Sequence, residues 1–584
     1  MKHYLRFFIL VFVYCFFCLT PIADIYAQSD TAYWKWARTP SDTGPFIQEG
    51  GFIATDHNDN VFITGTFANL MRFDTTILAG ISGGGLNVFI AKYSPSGQVL
   101  WARDASSASQ TRITPTGIAT DQKGNVFVTG FFQYGTLSFN GITLPGTPSA
   151  YENLFIVKYD SSGNFLWAKD GGQTQSQSSG IATDNMGNAY ISGWFKNDSF
   201  PLGNTTLYSV WGIYQEAFFT AKYNPQGNVI WAKGASDDTY NFGLTIASDR
   251  YENIYVSGDF LADSIRFGNQ TIYSQDTAIS DLHPFTLKYD SAGSLIWAKE
   301  GIGGAVSCDK NGNIYVIQGF NGDSLTIGTI TLYNIIPNYG TYFIAKYDSL
   351  GTIRWAKKIG SGKYILPFSI AANDVNGLIY ITGSWSGLVD SIVFDSTVLH
   401  LPPRSTDPMF ILAYDISGNV LCGAALASGG DDQNSVCTDI EGNAFITGDF
   451  ILTGDSAFVI GADTFFWGPD AFVTNGSEKV FTAKFNCNQK TETGIGQITS
   501  NTFLSLYPDP VSTLATVKYI LPDDTKENTL IIYDVLGNRL NEFHLDTSSG
   551  EININCQGLS RGIYFYSLVS DGKTILSRKM VVEQ

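Results

Sequence analysis

The chain has 584 residues, of which 14% are aromatic, 15% are charged and 60 are glycine. Such a composition favours many short strands joined by tight turns over helices or disorder. Its 35 basic and 53 acidic residues give a net charge of −18 without any basic cluster. The surface therefore repels phosphate backbones, and nucleic acid is excluded as a partner.

The N-terminal residues have the pattern of an export signal. Lys2 and Arg6 precede an apolar run from Phe7 to Leu19, and Ala27 ends a stretch suited to cleavage. We predict a signal peptide over residues 1–27, removed on passage to the periplasm. The apolar run is too short to cross a bilayer, and no later segment is long and apolar enough. We therefore expect no transmembrane segment in the mature chain.

One motif recurs along the chain. Its copy from Phe155 to Lys169 places two runs of aromatic and β-branched residues on either side of a turn that contains Gly163, which is typical of a β-hairpin. A period of about 65 residues, repeated this often, predicts a repeat architecture. Further copies begin at Phe89, Phe219, Phe285, Phe343 and, in degraded form, Phe410.

A second motif lies between successive hairpins and contains an aspartate turn. The residue two before the aspartate is small, as required where inner strands converge on a channel, and the strand after the turn is apolar at consecutive positions, as in a strand covered on both faces. These turns lack the alternating oxygen donors of a calcium loop, so we expect the carboxylates to cap backbone N–H groups. The aspartates of the seven copies are Asp56, Asp121, Asp184, Asp249, Asp309, Asp374 and Asp439.

The two ends of the repeat array carry complementary half-hairpins. Residues Trp34–Arg38 form a second half without a first, and Phe481–Phe485 form a first half without a second. Pairing them would remove an open strand edge and close a ring. After each second motif, a short element with Gly or Asn at its middle predicts a small hairpin on one rim, followed by variable loops suited to binding.

This seven-unit pattern resembles the seven-bladed β-propeller repeat of exported bacterial proteins (the SBBP-type repeat) over about residues 31–487. The resemblance implies a fold and no common chemistry. We predict an all-β chain with a seven-bladed β-propeller over residues 28–488, closed by the N-terminal strand. A polar linker follows over residues 489–502.

Residues 503–584 show the alternating pattern of a small, Ig-like β-sandwich with its own core. They closely resemble the C-terminal type A sorting domain of the type IX secretion system of Bacteroidetes, although that family usually has Asn where Asp509 stands. The resemblance implies contact with the type IX secretion machinery, passage across the outer membrane, and release or attachment at the cell surface. The residues of the matching sorting motif are Tyr507, Pro508, Asp509, Pro510, Gly537, Gly562, Tyr564 and Lys579.

The cysteines and the aromatic residues of the chain differ in what they predict about sites. The odd number of mature cysteines and their unpaired spacing argue against a disulfide framework, so we expect buried, apolar cysteines. No Cys/His spacing suits a metal, and no cofactor is expected. The tryptophan repeated in the hairpins is expected to pack between units. Non-repeating aromatic residues are candidates for ligand binding or for local packing: Trp211, Tyr214, Tyr273, Trp385 and Trp467.

Catalysis is disfavoured, because no nucleophile elbow, zinc-protease motif or phosphate loop is present. We predict an exported, non-catalytic propeller whose rim loops bind a glycan or a surface protein in adhesion. A secreted hydrolase acting on extracellular polysaccharide, with carboxylates in a central channel, is the alternative. A purely structural component of the cell surface is a third interpretation.

Overall fold

The fold is all-β in a computed structural model of the chain. The described part of the chain contains no helix, and hence none with the length and apolar character of a membrane span. The structure describes residues 32–42, 48–80, 85–107, 111–146, 151–172, 174–209, 216–235, 240–274, 283–320, 322–334, 341–360, 365–386, 391–395, 397–400, 408–426, 434–451, 458–460, 463–465, 478–487, 503–507, 511–521, 528–534, 538–545, 547, 549–570 and 573–583.

The strands follow one another in chain order. The first part of the chain contains β1 (Ala32–Arg38), β2 (Ser41–Asp42), β3 (Gln48–Thr55), β4 (Val61–Phe67), β5 (Leu70–Phe73), β6 (Thr76–Ala79), β7 (Asn87–Tyr93), β8 (Val99–Ser107), β9 (Arg112–Thr120), β10 (Val126–Gln133), β11 (Leu137–Phe139), β12 (Ile142–Leu144), β13 (Asn153–Tyr159), β14 (Phe165–Asp170), β15 (Ser176–Thr183), β16 (Ala189–Phe195), β17 (Ser199–Leu202), β18 (Thr205–Tyr208), β19 (Ala217–Tyr223), β20 (Val229–Gly234), β21 (Tyr240–Ser248), β22 (Ile254–Leu261), β23 (Ser264–Phe267), β24 (Gln270–Tyr273), β25 (His283–Tyr289) and β26 (Leu295–Glu300).

The second part of the chain contains β27 (Ala305–Cys308), β28 (Ile314–Phe320), β29 (Ser324–Ile327), β30 (Ile330–Tyr333), β31 (Thr341–Tyr347), β32 (Ile353–Lys358), β33 (Ile365–Ala372), β34 (Ile379–Trp385), β35 (Ser391–Phe394), β36 (Thr397–His400), β37 (Met409–Tyr414), β38 (Val420–Leu426), β39 (Ser435–Thr438), β40 (Ala444–Ile451), β41 (Phe458–Ile460), β42 (Asp463–Phe465), β43 (Glu478–Cys487), β44 (Phe503–Tyr507), β45 (Leu514–Ile520), β46 (Asn528–Tyr533), β47 (Arg539–His544), β48 (Ser549–Asn555), β49 (Gly562–Ser570) and β50 (Lys573–Val582).

The chain divides into two compact units, Met1–Gln489 and Lys490–Gln584. In the first unit one four-stranded antiparallel ladder recurs, and we call its copies repeats 1 to 7. They are repeat 1 (β3-β4-β7-β8), repeat 2 (β9-β10-β13-β14), repeat 3 (β15-β16-β19-β20), repeat 4 (β21-β22-β25-β26), repeat 5 (β27-β28-β31-β32), repeat 6 (β33-β34-β37-β38) and repeat 7 (β39-β40-β43-β1).

The second strand of each repeat is central in its ladder. Every residue of β4, β16 and β34 is buried. Apolar side chains at consecutive positions permit this burial, because neighbouring layers cover both faces of the strand. The central strand predicted from the sequence is therefore confirmed.

The first strands of neighbouring repeats pack against each other, and β3 of repeat 1 contacts both β9 and β39. Hydroxyl groups connect them: the Oγ1 of Thr55 donates to the carbonyl of Thr438 at 2.7 Å, and Thr120 donates to the carbonyl of Thr55 at 2.6 Å. Thr183 continues the series to Thr120 at 2.7 Å. The preceding residue Ala182, one of the small positions noted in the sequence, is buried. Small side chains thus allow these strands to approach closely.

The N-terminal strand completes repeat 7. Strand β1 pairs antiparallel with β43, with Trp34 opposite Phe485 and Arg38 opposite Thr482. The pairing of the two half-hairpins is therefore confirmed. It provides backbone partners for an edge of β43 that would otherwise be open.

A two-stranded hairpin separates the second and third strands of each repeat. In repeat 4, Ser264 of β23 pairs with Tyr273 of β24, and the inward residues Ile265 and Ile272 are buried. Some hairpins also pair with the fourth strand of the preceding repeat, as β11 does with β8 and β41 with β38. The small hairpins predicted from mid-element Gly and Asn are confirmed.

The second unit contains two antiparallel sheets, β44-β45-β48 and β47-β46-β49-β50. Both contribute to one hydrophobic cluster, which includes Val517 and Ile554 from the first sheet and Ile532 and Leu568 from the second. Apolar residues alternate with polar ones along these strands, so each sheet buries one face and exposes the other.

The register of repeat 6 differs from the expected one. Ala371 pairs with Tyr380, as Ala182 does with Tyr190 in repeat 3. The repeated aspartate of repeat 3, Asp184, lies two residues after Ala182. The residue two after Ala371 is Asn373, so Asn373 rather than Asp374 occupies the position of the repeated aspartate. The turn there is one residue longer, because the backbone N–H of Asn373 bonds the carbonyl of Leu378. The assignment of Asp374 as the sixth repeated aspartate was wrong.

The expectation of unpaired cysteines was also wrong in part. Cys422 and Cys487 form a disulfide between β38 of repeat 6 and the end of β43 in repeat 7. Their separation of 65 residues equals the repeat period, which spacing rules for small disulfide-rich domains do not consider. Among the described residues, Cys308, Cys437 and Cys556 are not part of a disulfide.

Candidate functional site

The carboxylates of the repeated turns are held within the fold. In repeat 3, Oδ1 of Asp184 accepts the backbone N–H groups of Met186 and Asn188 at 3.0 and 2.9 Å. Its Oδ2 accepts the Asn188 side-chain amide at 2.7 Å and the Tyr190 hydroxyl at 2.8 Å. Capping of backbone N–H groups, the role predicted for these aspartates, is confirmed.

A buried lysine accompanies this aspartate. Lys222 Nζ lies 3.3 Å from Asp184 Oδ2, with side-chain exposures of 7% and 0%, and it donates to the carbonyl of Ser291 in repeat 4 at 3.0 Å. Burial would raise the pKa of Asp184, but hydrogen bonds from Asn188 and Tyr190 and the charge of Lys222 bring that pKa below its ordinary value. The same ion pair joins Lys92 to Asp56, Lys158 to Asp121, and Lys484 to Asp439.

Repeat 6 replaces both members of this ion pair. Ala413 lies opposite Tyr380, where Lys222 lies opposite Tyr190 in repeat 3, and Asn373 stands where Asp184 does. The Asn373 amide donates to the carbonyl of Asp439 at 2.7 Å. The joint replacement leaves no lone charge, which would be costly in a buried position.

The repeated tryptophans join neighbouring repeats. The Trp167 indole N–H donates to the carbonyl of Pro225 in the next repeat at 2.9 Å. Its ring lies against Gly227, which has a φ of +79° and whose Cβ, if present, would meet the ring at 2.8 Å. A side chain there is excluded both by the backbone conformation and by the ring. The other indole donors and carbonyl acceptors are Trp36 and Pro95, Trp101 and Ser161, Trp231 and Ser291, Trp297 and Ser349, and Trp355 and Ile416.

The disulfide occupies this tryptophan position at the junction of repeats 6 and 7. Cys422 pairs with Ala413, which corresponds to the pairing of Trp231 with Lys222 in repeat 3. Cys487 lies two residues after Phe485, as Pro225 lies two residues after Tyr223. Strand β43 ends at Cys487 and pairs with β1 from the other end of the repeat array, and the sequence has Gln489 where the other repeats have the turn glycine. A covalent bond thus joins the one junction that lacks the glycine turn among those described.

Asp259 is a partly buried carboxyl group that lies within a strand and outside the repeated turns. It lies in β22 between Phe242 and Pro284 on the flanking strands. Burial raises its pKa to about 6, in the range useful to a general acid. No pattern in the sequence marks Asp259, because its burial depends on neighbouring strands.

The proposed ligand-binding residues have different environments. Trp211, Tyr214 and Trp467 lie outside the described residues. Trp385 is 1% exposed and packs against Phe410, so its ring offers no face to a ligand and it leaves the candidate set. Tyr273 is 67% exposed at the end of β24, and its contact with a ligand stays a prediction.

Tyr273 is also not unique, contrary to the interpretation of it as non-repeating. Tyr208 ends β18 and Tyr333 ends β30 in the same register, opposite Ser199 and Ser324. Their exposures are 73% and 65%. A repeated pattern of Thr, any residue and Tyr in the second strand of the hairpins was the sequence signal for this set.

The sorting motif lies partly within the described residues. Tyr507 is the last residue of β44, and Gly562 and Tyr564 lie in β49. The neighbouring strand β50 contains Lys579, paired with Phe565. The Tyr564 hydroxyl donates to the carbonyl of Ser560 at 2.8 Å. Pro508, Asp509, Pro510 and Gly537 lie outside the described residues.

Comparison with known families agrees with the motifs. Residues 505–583 match the Secretion system C-terminal sorting domain, and residues 106–130 match the Beta-propeller repeat. The chain is therefore an all-β protein that combines propeller repeats with a sorting domain of the type IX secretion system. The resemblances to a propeller repeat and to a sorting domain are confirmed, and the sorting domain indicates export to the outer membrane or cell surface.

Individual relatives are distant. An uncharacterized WD repeat-containing protein of Acanthamoeba polyphaga mimivirus is 27% identical over 366 residues, which are 51% of this chain and 26% of that protein. The chain thus spans about a quarter of the curated relative it matches.

Similar solved structures include a fungal alcohol oxidase in complex with copper, with 12% identity and a TM-score of 0.34 over 95% of this chain and 100% of that one. They also include a polysaccharide lyase named Ulvanlyase, with 8% identity and a TM-score of 0.35 over 70% of this chain and 93% of that one.

Proposed function

We propose that the protein is an exported, non-catalytic, seven-bladed β-propeller that binds a glycan or a surface protein in adhesion. In this proposal residues 1–27 are the signal peptide, 28–488 the propeller, 489–502 a linker and 503–584 an Ig-like sorting domain. The observation that carries it is the match of residues 505–583 to a sorting domain, joined to a unit built from repeated four-stranded ladders.

Two observations support closure of the propeller. The first strands of repeats 1 and 7 contact each other, and Thr55 donates to the carbonyl of Thr438 across that junction. At the outer side, β1 supplies the fourth strand of repeat 7. A ring removes the open edges that an unclosed stack would expose.

A non-catalytic role is supported by how the repeats use their charged groups. The aspartates of the repeated turns each cap backbone N–H groups and, in four repeats, pair with a lysine. Groups committed to such contacts are structural, because moving them would leave a buried charge unpaired. Exposed hairpins and loops on a rigid scaffold are suited to binding instead.

Export is tested by removing the sorting domain. In a host that has type IX secretion, we expect the full chain outside the cell and a variant lacking residues 489–584 in the periplasm. The variant should remain resistant to protease there, because the first unit has its own core. As a matched test, residues 490–584 fused to a folded reporter with a signal peptide should carry that reporter outside. Secretion of the truncated chain would contradict the sorting role.

Binding is tested with the purified full chain on glycan and surface-protein arrays, alongside a screen for hydrolysis of extracellular polysaccharides. We expect binding without release of products. Turnover of any polysaccharide would contradict the non-catalytic assignment.

A hydrolase acting on extracellular polysaccharide is the second candidate, and Asp259 is the observation that favours it. A carboxyl with a pKa of about 6 is protonated often enough near neutral pH to serve as a general acid. If the screen detects turnover, Asp259→Asn should reduce it by about 100-fold or more, whereas unchanged turnover would exclude Asp259 from catalysis.

A further inference from the structure

Three consecutive repeats present the same exposed tyrosine. Tyr208, Tyr273 and Tyr333, which we call the tyrosine row, each end the second strand of a hairpin in repeats 3, 4 and 5. About two thirds or more of each side chain is exposed. Large aromatic surfaces left in water at equivalent positions suggest a binding role shared by the three hairpins.

The hairpins hold these tyrosines on a fixed support. In repeat 4, the inward face of the hairpin buries Ile265 and Phe267, and the Phe267 ring lies 4.9 Å from that of Phe285. The Gln270 side chain accepts the backbone N–H of Ala298 in the fourth strand at 2.9 Å. The row is therefore presented by packed strands, so little ordering is required when a ligand binds.

Each hairpin of the tyrosine row also exposes a threonine and an aspartate. The outward residue two positions before each tyrosine is an exposed threonine: Thr206, Thr271 or Thr331. The base of each hairpin is closed by an exposed aspartate whose carbonyl accepts the N–H of the residue after the tyrosine. These aspartates are Asp198, Asp263 and Asp323, with bonds of 3.1, 2.9 and 2.8 Å.

We propose that the tyrosine row binds an extended, uncharged polysaccharide, an inference that rests on the proposed role as an extracellular binding protein. A tyrosine offers a flat apolar face to the C–H face of a sugar and a hydroxyl at its edge. The neighbouring threonine and aspartate supply partners for sugar hydroxyls. The same tyrosine, threonine and aspartate recur in repeats 3, 4 and 5, and such a surface suits a polymer whose sugar units also recur along its length.

The charge and polarity of the tyrosine row favour a neutral polysaccharide over an anionic polymer, a lipid surface or a protein. The three aspartates and the net charge of −18 repel anionic polysaccharides and lipid surfaces. A protein interface has an apolar core from which charged residues are depleted, whereas each of these hairpins also carries an exposed threonine and an exposed aspartate. Binding to a neutral polymer should also be insensitive to salt, unlike capture of a basic protein.

The experiment measures affinity of the full chain for cellulose, xylan, mannan and β-1,3-glucan, with alginate as an anionic control. We expect binding to at least one neutral polymer at both about 0.01 M and about 1 M ionic strength. Each Tyr→Ala variant should weaken binding about fivefold, and the triple variant by about 100-fold, because the sites act together. Tyr→Phe variants keep the ring and should retain most of the affinity.

Tyr151→Ala is the matched control, since Tyr151 is an exposed tyrosine of the same unit outside the hairpins, and it should bind as wild type. If no neutral polymer binds, or if a bound protein partner depends on the row, the polysaccharide inference is wrong while a binding role can still stand. Unchanged binding by the triple variant would remove the row from the site but leave the proposed function intact. Turnover of a polymer would instead contradict the proposed function.

Discussion

We expect Lys222→Ala to lower the free energy of unfolding of the first unit by about 3–5 kcal/mol. The substitution leaves the Asp184 carboxylate, which is fully buried, without its counter-ion and removes the bond from Lys222 to the carbonyl of Ser291. Because desolvation of a lone carboxylate is not offset by its remaining hydrogen bonds, the loss should far exceed that of a surface pair.

Repeat 6 suggests the variant that should relieve this cost. It has Ala413 and Asn373 where repeat 3 has Lys222 and Asp184. The double variant Lys222→Ala/Asp184→Asn removes both charges and should be more stable than Lys222→Ala by about 1 kcal/mol or more. Urea unfolding followed by tryptophan fluorescence measures each variant. A double variant whose loss equals the sum of the two single losses would contradict the coupling.

The surface pair of Arg354 and Asp348 is the control, since Arg354 is 58% exposed and Arg354→Ala should cost about 1 kcal/mol or less.

The stabilisation by the pair of Lys222 and Asp184 should also depend on pH. The pKa of Asp184 lies below its ordinary value of 3.8, so its charge stabilises the folded state above that pH. This contribution is present at neutral pH and is lost as the pH falls below 3.8.

Removing the disulfide should have an effect of similar size. The bond between Cys422 and Cys487 joins residues 65 apart, and restricting a loop of that length in the unfolded chain is worth about 4 kcal/mol. We expect the variant Cys422→Ala/Cys487→Ala to unfold at correspondingly lower urea concentration. Wild-type protein treated with a reductant should lose a comparable amount of stability, and the double variant should not respond to the reductant.

Cys437→Ala provides the matched control, because Cys437 is a free thiol of the same unit and the variant keeps the disulfide. It should remain sensitive to reductant. Alkylation of the unreduced, unfolded wild-type protein at both Cys422 and Cys487 would contradict the bond. An oxidising compartment, which the export route provides, is the condition under which such a bond persists.

The sequence by itself determined the class of fold, the number of repeat copies and the role of the last segment. Strands that pair through a short turn lie next to each other in the chain, so the hairpin around Gly163 was readable from local pattern alone. The unmatched halves at Trp34–Arg38 and Phe481–Phe485 predicted their long-range pairing because each lacked its local partner. The sorting domain was recognised from short motifs in the correct order.

The sequence predicted that the repeated tryptophans pack between repeats, but only the tertiary structure decided which groups meet there. The Lys222–Asp184 pair, the indole of Trp167 on Gly227 and the Cys422–Cys487 bond each require the register of two strands, or of two repeats about one period apart. A turn longer by one residue was enough to misplace the aspartate position of repeat 6 at Asp374 instead of Asn373. Exposure is likewise a property of packed layers: Trp385 and Tyr273 are both aromatic residues near hairpins, yet one is buried by neighbouring strands and the other faces solvent.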